Sequence, residues 1–206
     1  MLIMSSLLSL PDNMTYQTVP YRYGDEIFAI ETDRLRLSVY RRSAYKKVTD
    51  YLVRNRDFHK QFSQPQPDTY FTYGAQKEYL DCDLRSYRRG NLVPLWITLK
   101  EDNSKIIGRV SLFNIARGGM MLAQLGYHMD KEYTGQGIMT EAVNAACELM
   151  FEVMQLHRIE AFILPENLKS IALIKRCGFE YEGTRYSYMN INGKYRDHTV
   201  YYRLRP

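Results

Sequence analysis

A glycine-containing turn between an apolar strand and an amphipathic helix constrains this chain more than any other feature. The turn is Glu132-Tyr133-Thr134-Gly135-Gln136-Gly137-Ile138-Met139-Thr140. Gly135 and Gly137 carry no Cβ atom that would keep a ligand from the backbone, so several amide donors can converge on one anion. The following helix adds the unpaired donors of its first turn and the positive end of its dipole. The pattern predicts either a seat for pyrophosphate or an ordinary strand-to-helix connection.

Single residues exclude two common phosphate-binding motifs at this turn. A Walker A loop requires a lysine directly after its last glycine, and Ile138 stands there. A dinucleotide-binding GxGxxG motif requires a third glycine, and Thr140 occupies that position. The remaining pattern is a Gly-x-Gly sequence at the start of a helix. By itself this pattern does not identify which phosphate-containing ligand would bind.

The sequence on each side of the turn predicts the elements that hold it. Residues 122–129 form a largely apolar strand pattern. Residues 139–153 place apolar side chains, several of them methionines, at helical spacing, with polar residues on the opposite face. Because Met fills irregular interior gaps, we interpret this face as core rather than as a cofactor site.

The rest of the chain predicts a mixed order of strands and helices. Further strands are predicted at residues 34–40, 95–99, 106–112, 159–164, 179–189 and 195–204, and helices at residues 44–54, 73–87 and 167–177. Asn192-Gly193 is a strong hairpin signal between the last two strands. An antiparallel meander before the glycine turn indicates a mixed rather than an all-parallel sheet.

Length and composition indicate a globular domain that needs no metal. With 206 residues and 45% apolar content, the chain can bury a sizeable core, and one domain is the simplest interpretation. Cys82, Cys147 and Cys177 lack CxxC spacing, which favours reduced thiols in a cytoplasm and no metal site. The uncharged residues 1–10 are too short to span a bilayer. We interpret residues 1–27 as an arm of unknown role and residues 28–206 as the domain.

The net charge of +5 says little about partners, because 28 basic and 23 acidic residues are spread along the chain. The densest basic group, Arg85, Arg88 and Arg89, is explained by a solvated helix end. Mild positive charge also suits an anionic cofactor or a protein substrate carried on RNA.

Several short motifs follow one another in a fixed order. They are Glu31-Thr32-Asp33-Arg34-Leu35-Arg36-Leu37, Asn55-Arg56-Asp57-Phe58, Gly135-Gln136-Gly137-Ile138-Met139-Thr140-Glu141-Ala142, His157-Arg158-Ile159, Asn167-x-x-Ser170, Gly178-Phe179 and Gly193-x-Tyr195-x-Asp197. Over residues 28–204 this order resembles the GNAT superfamily of acetyl-coenzyme A (acetyl-CoA) dependent N-acetyltransferases, and within it the RimJ/RimL-type ribosomal-protein N-terminal (alanine/serine) acetyltransferases. The resemblance implies an α/β fold with a mixed, mostly antiparallel sheet of about 6–7 strands, splayed in the middle and flanked by about 4 helices.

The resemblance also implies where acetyl-CoA, the acetyl donor, would bind. Its pyrophosphate would meet the amides of the glycine turn, and its pantetheine arm would run along the backbone of residues 127–129, between two splayed strands. The implied cofactor-binding residues are Tyr127, His128, Met129, Thr134, Gly135, Gln136, Gly137, Ile138, Met139, Thr140, Asn167 and Ser170. The Met129 N–H would polarise the acetyl carbonyl, and an amine entering from the other side would attack directly in a ternary complex.

The proton chemistry departs from the family pattern. Many members protonate the leaving thiolate with a tyrosine, where this chain has Ile174, and Ser170 is the predicted substitute or else only a first-turn helix serine. The base of the RimL-like branch is a glutamate, and Met189 takes its place. A water relay, Asp57 or Tyr188 remain as candidates. With the Met129 amide, the predicted catalytic residues are thus Ser170, Met129, Asp57 and Tyr188.

The predicted function is acetyl transfer from acetyl-CoA to a primary amine, the α-amine of a ribosomal or other protein. The alternatives are a small-molecule amine, such as an antibiotic or a peptide-like toxin, and a catalytically silent acyl-CoA binder. We expect a cytoplasmic monomer or homodimer with no DNA or membrane partner. Glu132 stands where the superfamily has Gln or Arg and would weaken pyrophosphate binding if it pointed inward. His157 and His198 are interpreted as packing or surface residues.

Overall fold

The structure is a computed structural model that describes residues 15–17 and 24–206. Within these residues, nine strands form one sheet: β1 Thr15–Gln17, β2 Glu26–Glu31, β3 Leu35–Tyr40, β4 Leu92–Leu99, β5 Gly108–Ala116, β6 Leu122–Met129, β7 Arg158–Ile163, β8 Glu180–Ile191 and β9 Lys194–Leu204. The α-helices of the described part are α1 Tyr45–Arg54, α2 Arg56–His59, α3 Tyr73–Arg88, α4 Ile138–Glu152 and α5 Leu168–Arg176. None of these helices is long and apolar enough to cross a membrane.

The sheet runs in the order β1-β2-β3-β4-β5-β6-β7-β9-β8. Every neighbouring pair is antiparallel except β6 and β7, which are parallel. The predicted mixed, mostly antiparallel fold is therefore confirmed. The predicted count of 6–7 strands is too low, because β1 and β2 extend the edge beyond β3. Residues 28–30 of β2 are all buried, so the strand lacks the alternation that would have predicted it.

The predicted helices are present, and α2 adds a single turn directly after α1. Most of the predicted N-terminal arm, residues 1–14 and 18–23, lies outside the described residues. The described parts of that segment lie in or next to strands β1 and β2.

Helices cover both faces of the sheet. Leu95 and Ile97 belong to the core that α4 and α5 share with the sheet, whereas Trp96 belongs to a second cluster with α1 and α3. Neighbouring residues of a strand point to opposite faces, so these two clusters lie on opposite sides. Ten of the 15 residues of α4 are buried, which confirms its apolar face as core.

The last two strands form the predicted hairpin. Asn192 and Gly193 have φ values of +52° and +81°, as a tight turn with two left-handed residues requires. The Asn192 side chain reaches the carbonyl of Lys60 at 3.5 Å. The hairpin tip therefore lies beside the segment that follows α2.

Candidate active site

Strands β6 and β7 pair over only part of their length. The parallel register joins residues 122–125 of β6 to residues 158–161 of β7. Farther along, β6 stays paired with β5 as far as Met129, and β7 with β9 as far as Ile163. Each strand keeps its outer neighbour while the middle of the sheet opens, which confirms the predicted splay. A cavity of about 800 Å³ occupies this opening.

The backbone of Met129 presents its polar groups to the opening. The Asp130 N–H donates to the Ile107 carbonyl at 2.8 Å, on the β5 side. Successive residues of a strand direct their N–H and C=O groups to opposite edges, so those of Met129 point away from β5. The Met129 carbonyl accepts a 2.8 Å hydrogen bond from Nε2 of His59 on that edge. The Met129 N–H lies on the same edge and is therefore directed into the cavity.

The glycine turn forms one end of the cavity. Gly135 and Gly137 have φ values of +79° and +75°, in the left-handed region that favours glycine. Gly137 is the N-cap of α4, so the N–H groups of Ile138, Met139 and Thr140 lack partners within the helix. A Cβ atom at Gly135 would meet no atom within 4 Å. The turn thus offers a concave row of donors beside open space, which fits an anion such as pyrophosphate.

A polar network ties this turn to the N-terminal strands. Glu141, in the first turn of α4, accepts hydrogen bonds from the Thr32 hydroxyl and, at 2.7 Å, from Nε of Arg34. Arg34 also donates to the carbonyl of Gln136 at 3.1 Å. Burial raises the pKa of the Glu141 carboxyl, but the bonds from Thr32 and Arg34 outweigh it and the net pKa is lowered. The carboxylate is therefore ionised and holds the turn in place.

A second network fixes the end of β6. The carboxylate of Asp130 is 1% exposed, accepts from Nε of Arg54 at 2.7 Å and caps the backbone N–H of Glu132 at 3.1 Å. The Glu132 carboxylate instead pairs with Lys105 at 2.8 Å and is outside the cavity lining. The acidic residue beside the turn is thus directed away from the anion seat.

Helix α5 brings a serine to the opposite wall. Asn167 is its N-cap and accepts from the Ser170 N–H at 3.2 Å, as predicted. The Ser170 hydroxyl lies 2.6 Å from the phenolic oxygen of Tyr127 on β6. Burial raises the pKa of Tyr127 to about 12 despite the bond with Ser170, which lowers it, so the phenol stays protonated at neutral pH. Ile174 is fully buried in the core and its aliphatic side chain carries no acidic hydrogen, so it cannot supply a proton to the cavity.

The cavity reaches the other face of the sheet. Tyr127 contacts α5, whereas the next residue, His128, lies 2.7 Å from the Tyr51 hydroxyl of α1 through its Nδ1 atom. Both line the cavity. On the α1 side the wall is completed by α2 and the segment after it, through Phe58, His59, Phe62 and Ser63. Two molecules could therefore meet at Met129 from opposite faces.

The Acetyltransferase (GNAT) domain family matches residues 34–180, which is most of the chain. The chain belongs to the GNAT acetyltransferase family. It is 38% identical over 152 residues, 74% of this chain and 83% of the relative, to the "Probable N-acetyltransferase YjcK" of Bacillus subtilis (strain 168). It is 30% identical over 181 residues, 87% of this chain and 92% of the relative, to the [Ribosomal protein uS5]-alanine N-acetyltransferase of Escherichia coli (strain K12). The crystal structure of the ribosomal-protein-S5-alanine acetyltransferase from Vibrio fischeri superposes with a TM-score of 0.81 at 30% identity, covering 86% of this chain and 96% of that one.

The acetyltransferase therefore uses acetyl-CoA as its acetyl donor, as the GNAT family does. The geometry fits this donor, because a row of backbone amides at the glycine turn continues into an opened strand edge. Of the predicted cofactor-binding residues, all but Gln136 line the cavity. The Gln136 side chain donates instead to the carbonyl of Glu132 at 3.1 Å.

Neither Asp57 nor Tyr188, the two side chains predicted as base candidates, lines the cavity of the acetyltransferase. Asp57 is exposed on α2 and is not among the lining residues. The centroid of the Tyr188 ring lies 5.0 Å from that of Phe162 and 5.8 Å from that of His198, both of which line the cavity, but Tyr188 itself is not among the lining residues. Met189 lies on β8 opposite Arg196 and brings no carboxylate to its position.

One side chain of the site was missed from the sequence, and a contact of another was not foreseen. Tyr127 was predicted to meet the cofactor through its backbone, and only the structure pairs its hydroxyl with Ser170. His59 lies in the one-turn helix α2, which has no helical repeat to signal it. Of the histidines that the sequence did single out, His198 is buried and lines the cavity, while His157 is exposed.

Proposed function

We propose that this acetyltransferase modifies the α-amine of a protein N-terminus, of the ribosomal-protein type. One observation carries the proposal: the cavity passes through the opened sheet. The glycine turn lines it on one face, and Phe58 and Phe62 form an aromatic rim on the other. An extended N-terminus that enters past Phe58 and Phe62 would direct its α-amine toward Met129, which lines the same cavity. Relatives named as ribosomal-protein alanine acetyltransferases support this acceptor class.

On the donor side, we assign the pyrophosphate to the amides of residues 134–139 and the pantetheine arm to the open backbone of residues 127–129. When bound, acetyl-CoA supplies an acetyl thioester that an amine can attack. Asn167 and Ser170 would face the arm from α5. Residues 127–129 belong to β6 and Ser170 to α5, while hydrogen bonds from Arg34 to the Gln136 carbonyl and from the Glu132 N–H to Asp130 hold the turn. The donor therefore needs little rearrangement of the protein to bind.

Two groups of the chain would stabilise the negative charge that develops during the transfer, one on the acetyl oxygen and one on the sulfur. The Met129 N–H is directed into the cavity and would polarise the acetyl carbonyl, as an oxyanion donor does. The Ser170 hydroxyl would stabilise the sulfur as negative charge develops there. Tyr127 stays protonated and holds the Ser170 hydroxyl at 2.6 Å, so we assign it a positioning role.

A small-molecule amine is the second candidate acceptor. Phe58 and Phe62 line the α1 side of the cavity, and two aromatic side chains also fit a compact, ring-bearing amine. The two acceptor classes differ in what lies beyond the amine, since a protein continues as a chain over the rim and a small molecule does not.

Release of coenzyme A thiol separates the two candidates. The enzyme is incubated with acetyl-CoA and with peptides that begin with Ala or Ser, with their α-amine-blocked counterparts, and with a panel of small amines. We expect thiol release with the free peptides and only background with the blocked ones. Release with small amines alone would contradict a protein acceptor, and so would peptide-independent release.

A further inference from the structure

His59 occupies the acceptor side of the cavity, close to the point where the two substrates would meet. It is the last residue of α2 and is half-buried. Its Nε2 atom lies 2.8 Å from the carbonyl oxygen of Met129, the residue whose N–H faces the cavity. The imidazole therefore stands beside the backbone group assigned to the acetyl carbonyl.

The bond to Met129 fixes which ring nitrogen is basic. A carbonyl oxygen only accepts, so Nε2 of His59 carries the hydrogen and donates. In the neutral ring the other nitrogen, Nδ1, then has a free lone pair. Among the described residues, no hydrogen-bond partner is found for Nδ1. The ring is thus oriented by one nitrogen and leaves the other able to accept a proton.

The surroundings keep this ring neutral at pH 7. Burial lowers the pKa of His59, and the bond to Met129 and the charge of Asp130, which raise it, do not compensate. The rings of His128 and Tyr51 lie 5.0 Å and 5.8 Å away. Burial lowers the pKa of His128 well below its usual range and raises that of Tyr51 well above, so neither titrates near neutrality. Asp130 is paired with Arg54.

We propose that His59 is the general base that takes the proton of the attacking amine through Nδ1. This inference rests on the proposed acetyl transfer and identifies the residue that takes the place of the missing glutamate. The amine nitrogen forms the new C–N bond with the acetyl carbon, and its proton passes to Nδ1. The C–S bond breaks and the sulfur keeps the electron pair as a thiolate, to which the Ser170 hydroxyl donates a hydrogen bond. The imidazolium then gives its proton to solvent, and the thiolate takes one proton from solvent, so that Ser170 is unchanged at the end of the cycle.

The other imidazoles of the cavity are less suited to this role. His128 uses its Nδ1 atom in the hydrogen bond with Tyr51. His198 is 3% exposed, and its Nδ1 atom lies 3.1 Å from the Arg196 carbonyl. Of the three histidines that line the cavity, His59 is the one that lies on its α1 side, where the acceptor would enter, and also contacts the Met129 carbonyl.

Substitution by glutamine separates a base from a purely structural residue. His59→Gln keeps an N–H donor for the Met129 carbonyl and removes the basic nitrogen. We expect kcat/KM for the peptide to fall about 10²-fold, in line with general base catalysis. Thermal stabilisation by acetyl-CoA should stay unchanged, and so should the activity of His157→Gln, whose side chain is exposed and outside the cavity. Near wild-type kcat/KM in His59→Gln would overturn the proposal.

The pH profile and rescue provide independent readouts. Below the pKa values of both the acceptor amine, about 8, and the imidazole, log kcat/KM of the wild type should fall with a slope near two. In His59→Gln the slope should be near one, because only the amine still titrates. Added imidazole should restore activity to His59→Ala. Identical slopes in the two enzymes, or the absence of rescue, would contradict a base at this position.

The ligand-free protein can be tested as well. ¹⁵N NMR of the imidazole should show a neutral His59 ring at pH 7 with its hydrogen on Nε2. A hydrogen on Nδ1 would overturn the proposal whatever the activity. If wild-type protein binds acetyl-CoA but acetylates no peptide or amine, the proposed function fails, whereas an active wild type with an equally active His59→Gln variant contradicts His59 alone.

Discussion

The phenolic oxygen of Tyr127 lies 2.6 Å from the hydroxyl of Ser170 and joins the opened strand β6 to the first turn of α5. Both residues line the cavity, and the Tyr127 phenol is protonated at neutral pH because burial raises its pKa to about 12. Ile174, at the position where the resemblance implies a tyrosine, is buried and carries no hydroxyl. We therefore propose that the hydroxyl pair of Tyr127 and Ser170, from two different elements, takes the role expected of that tyrosine.

Tyr127→Phe should lower kcat and leave acetyl-CoA binding intact. The loss of one hydrogen bond that orients Ser170 is worth about 1 kcal/mol, or roughly fivefold in rate. Ser170→Ala should cost about 10²-fold, and the double variant should be no slower than Ser170→Ala, because Tyr127 acts through Ser170. Tyr202→Phe, which removes an exposed hydroxyl on β9, is the matched control. Additive losses in steady-state kinetics would contradict a shared role.

Gly135→Ala should weaken acetyl-CoA binding more than it weakens the fold. Gly118 offers a matched control, since it has φ of +70° against +79°, and a Cβ at either position meets no atom within 4 Å. Both alanine variants should lose about 1–2 kcal/mol of stability through the left-handed backbone. Only Gly135→Ala places a methyl group and strain at the anion seat. The melting temperature measured at increasing acetyl-CoA concentrations gives the Kd, which should rise for Gly135→Ala alone. Equal Kd values for the two variants would contradict pyrophosphate binding at the glycine turn.

Glu141→Gln should destabilise the protein and remove part of its acid sensitivity. The folded pKa of Glu141 is lowered, so its contribution is present above the unfolded glutamate pKa, about 4.3, and is lost as the pH falls through the folded value. Because its partner Arg34 is half exposed, we expect only about 1 kcal/mol. Glu148→Gln on the same helix is the control. Burial raises the pKa of Glu148, so this change should not destabilise at pH 7. Equal effects in urea unfolding at pH 7 would contradict the network.

Arg54→Met should leave the carboxylate of Asp130 buried without its cation. Because only the carboxylate of this ion pair is buried and the Arg54 side chain is 30% exposed, we expect a loss of about 2 kcal/mol, less than for a fully buried pair, together with a loosened entry to the glycine turn. Arg56→Met is the comparison, because its partner Asp68 is 86% exposed and the pair is worth well under 1 kcal/mol. Urea unfolding measures both. A loss for Arg56→Met as large as that for Arg54→Met would contradict the assigned burial.

Much of the fold could be predicted because its signals are local. The hairpin at Asn192-Gly193 and the helix cap at Asn167 each depend on a few adjacent residues, and both are confirmed. The glycine turn was located in the same way, through two residues that adopt left-handed backbone. Strand β2 was missed because its buried run has no alternation.

The proton chemistry of the site could not be predicted because it depends on contacts distant in sequence. His59 reaches Met129 across 70 positions, and Tyr127 reaches Ser170 across 43. No spacing rule connects such residues, since their approach is set by how α2 and α5 pack on the sheet. Asp57 and Tyr188 were chosen because they belong to segments that the resemblance placed beside the acceptor. In the structure neither side chain lines the cavity.

The central claim is that an α-amine is acetylated at the opening between β6 and β7. Its most direct test is tandem mass spectrometry of a peptide that begins with Ala and contains an internal Lys, after incubation with the enzyme and acetyl-CoA. We predict one acetyl group on the α-nitrogen, formed in equal amount to the free coenzyme A thiol. An unmodified peptide under conditions in which acetyl-CoA raises the melting temperature, or an acetyl group on the lysine alone, would contradict it.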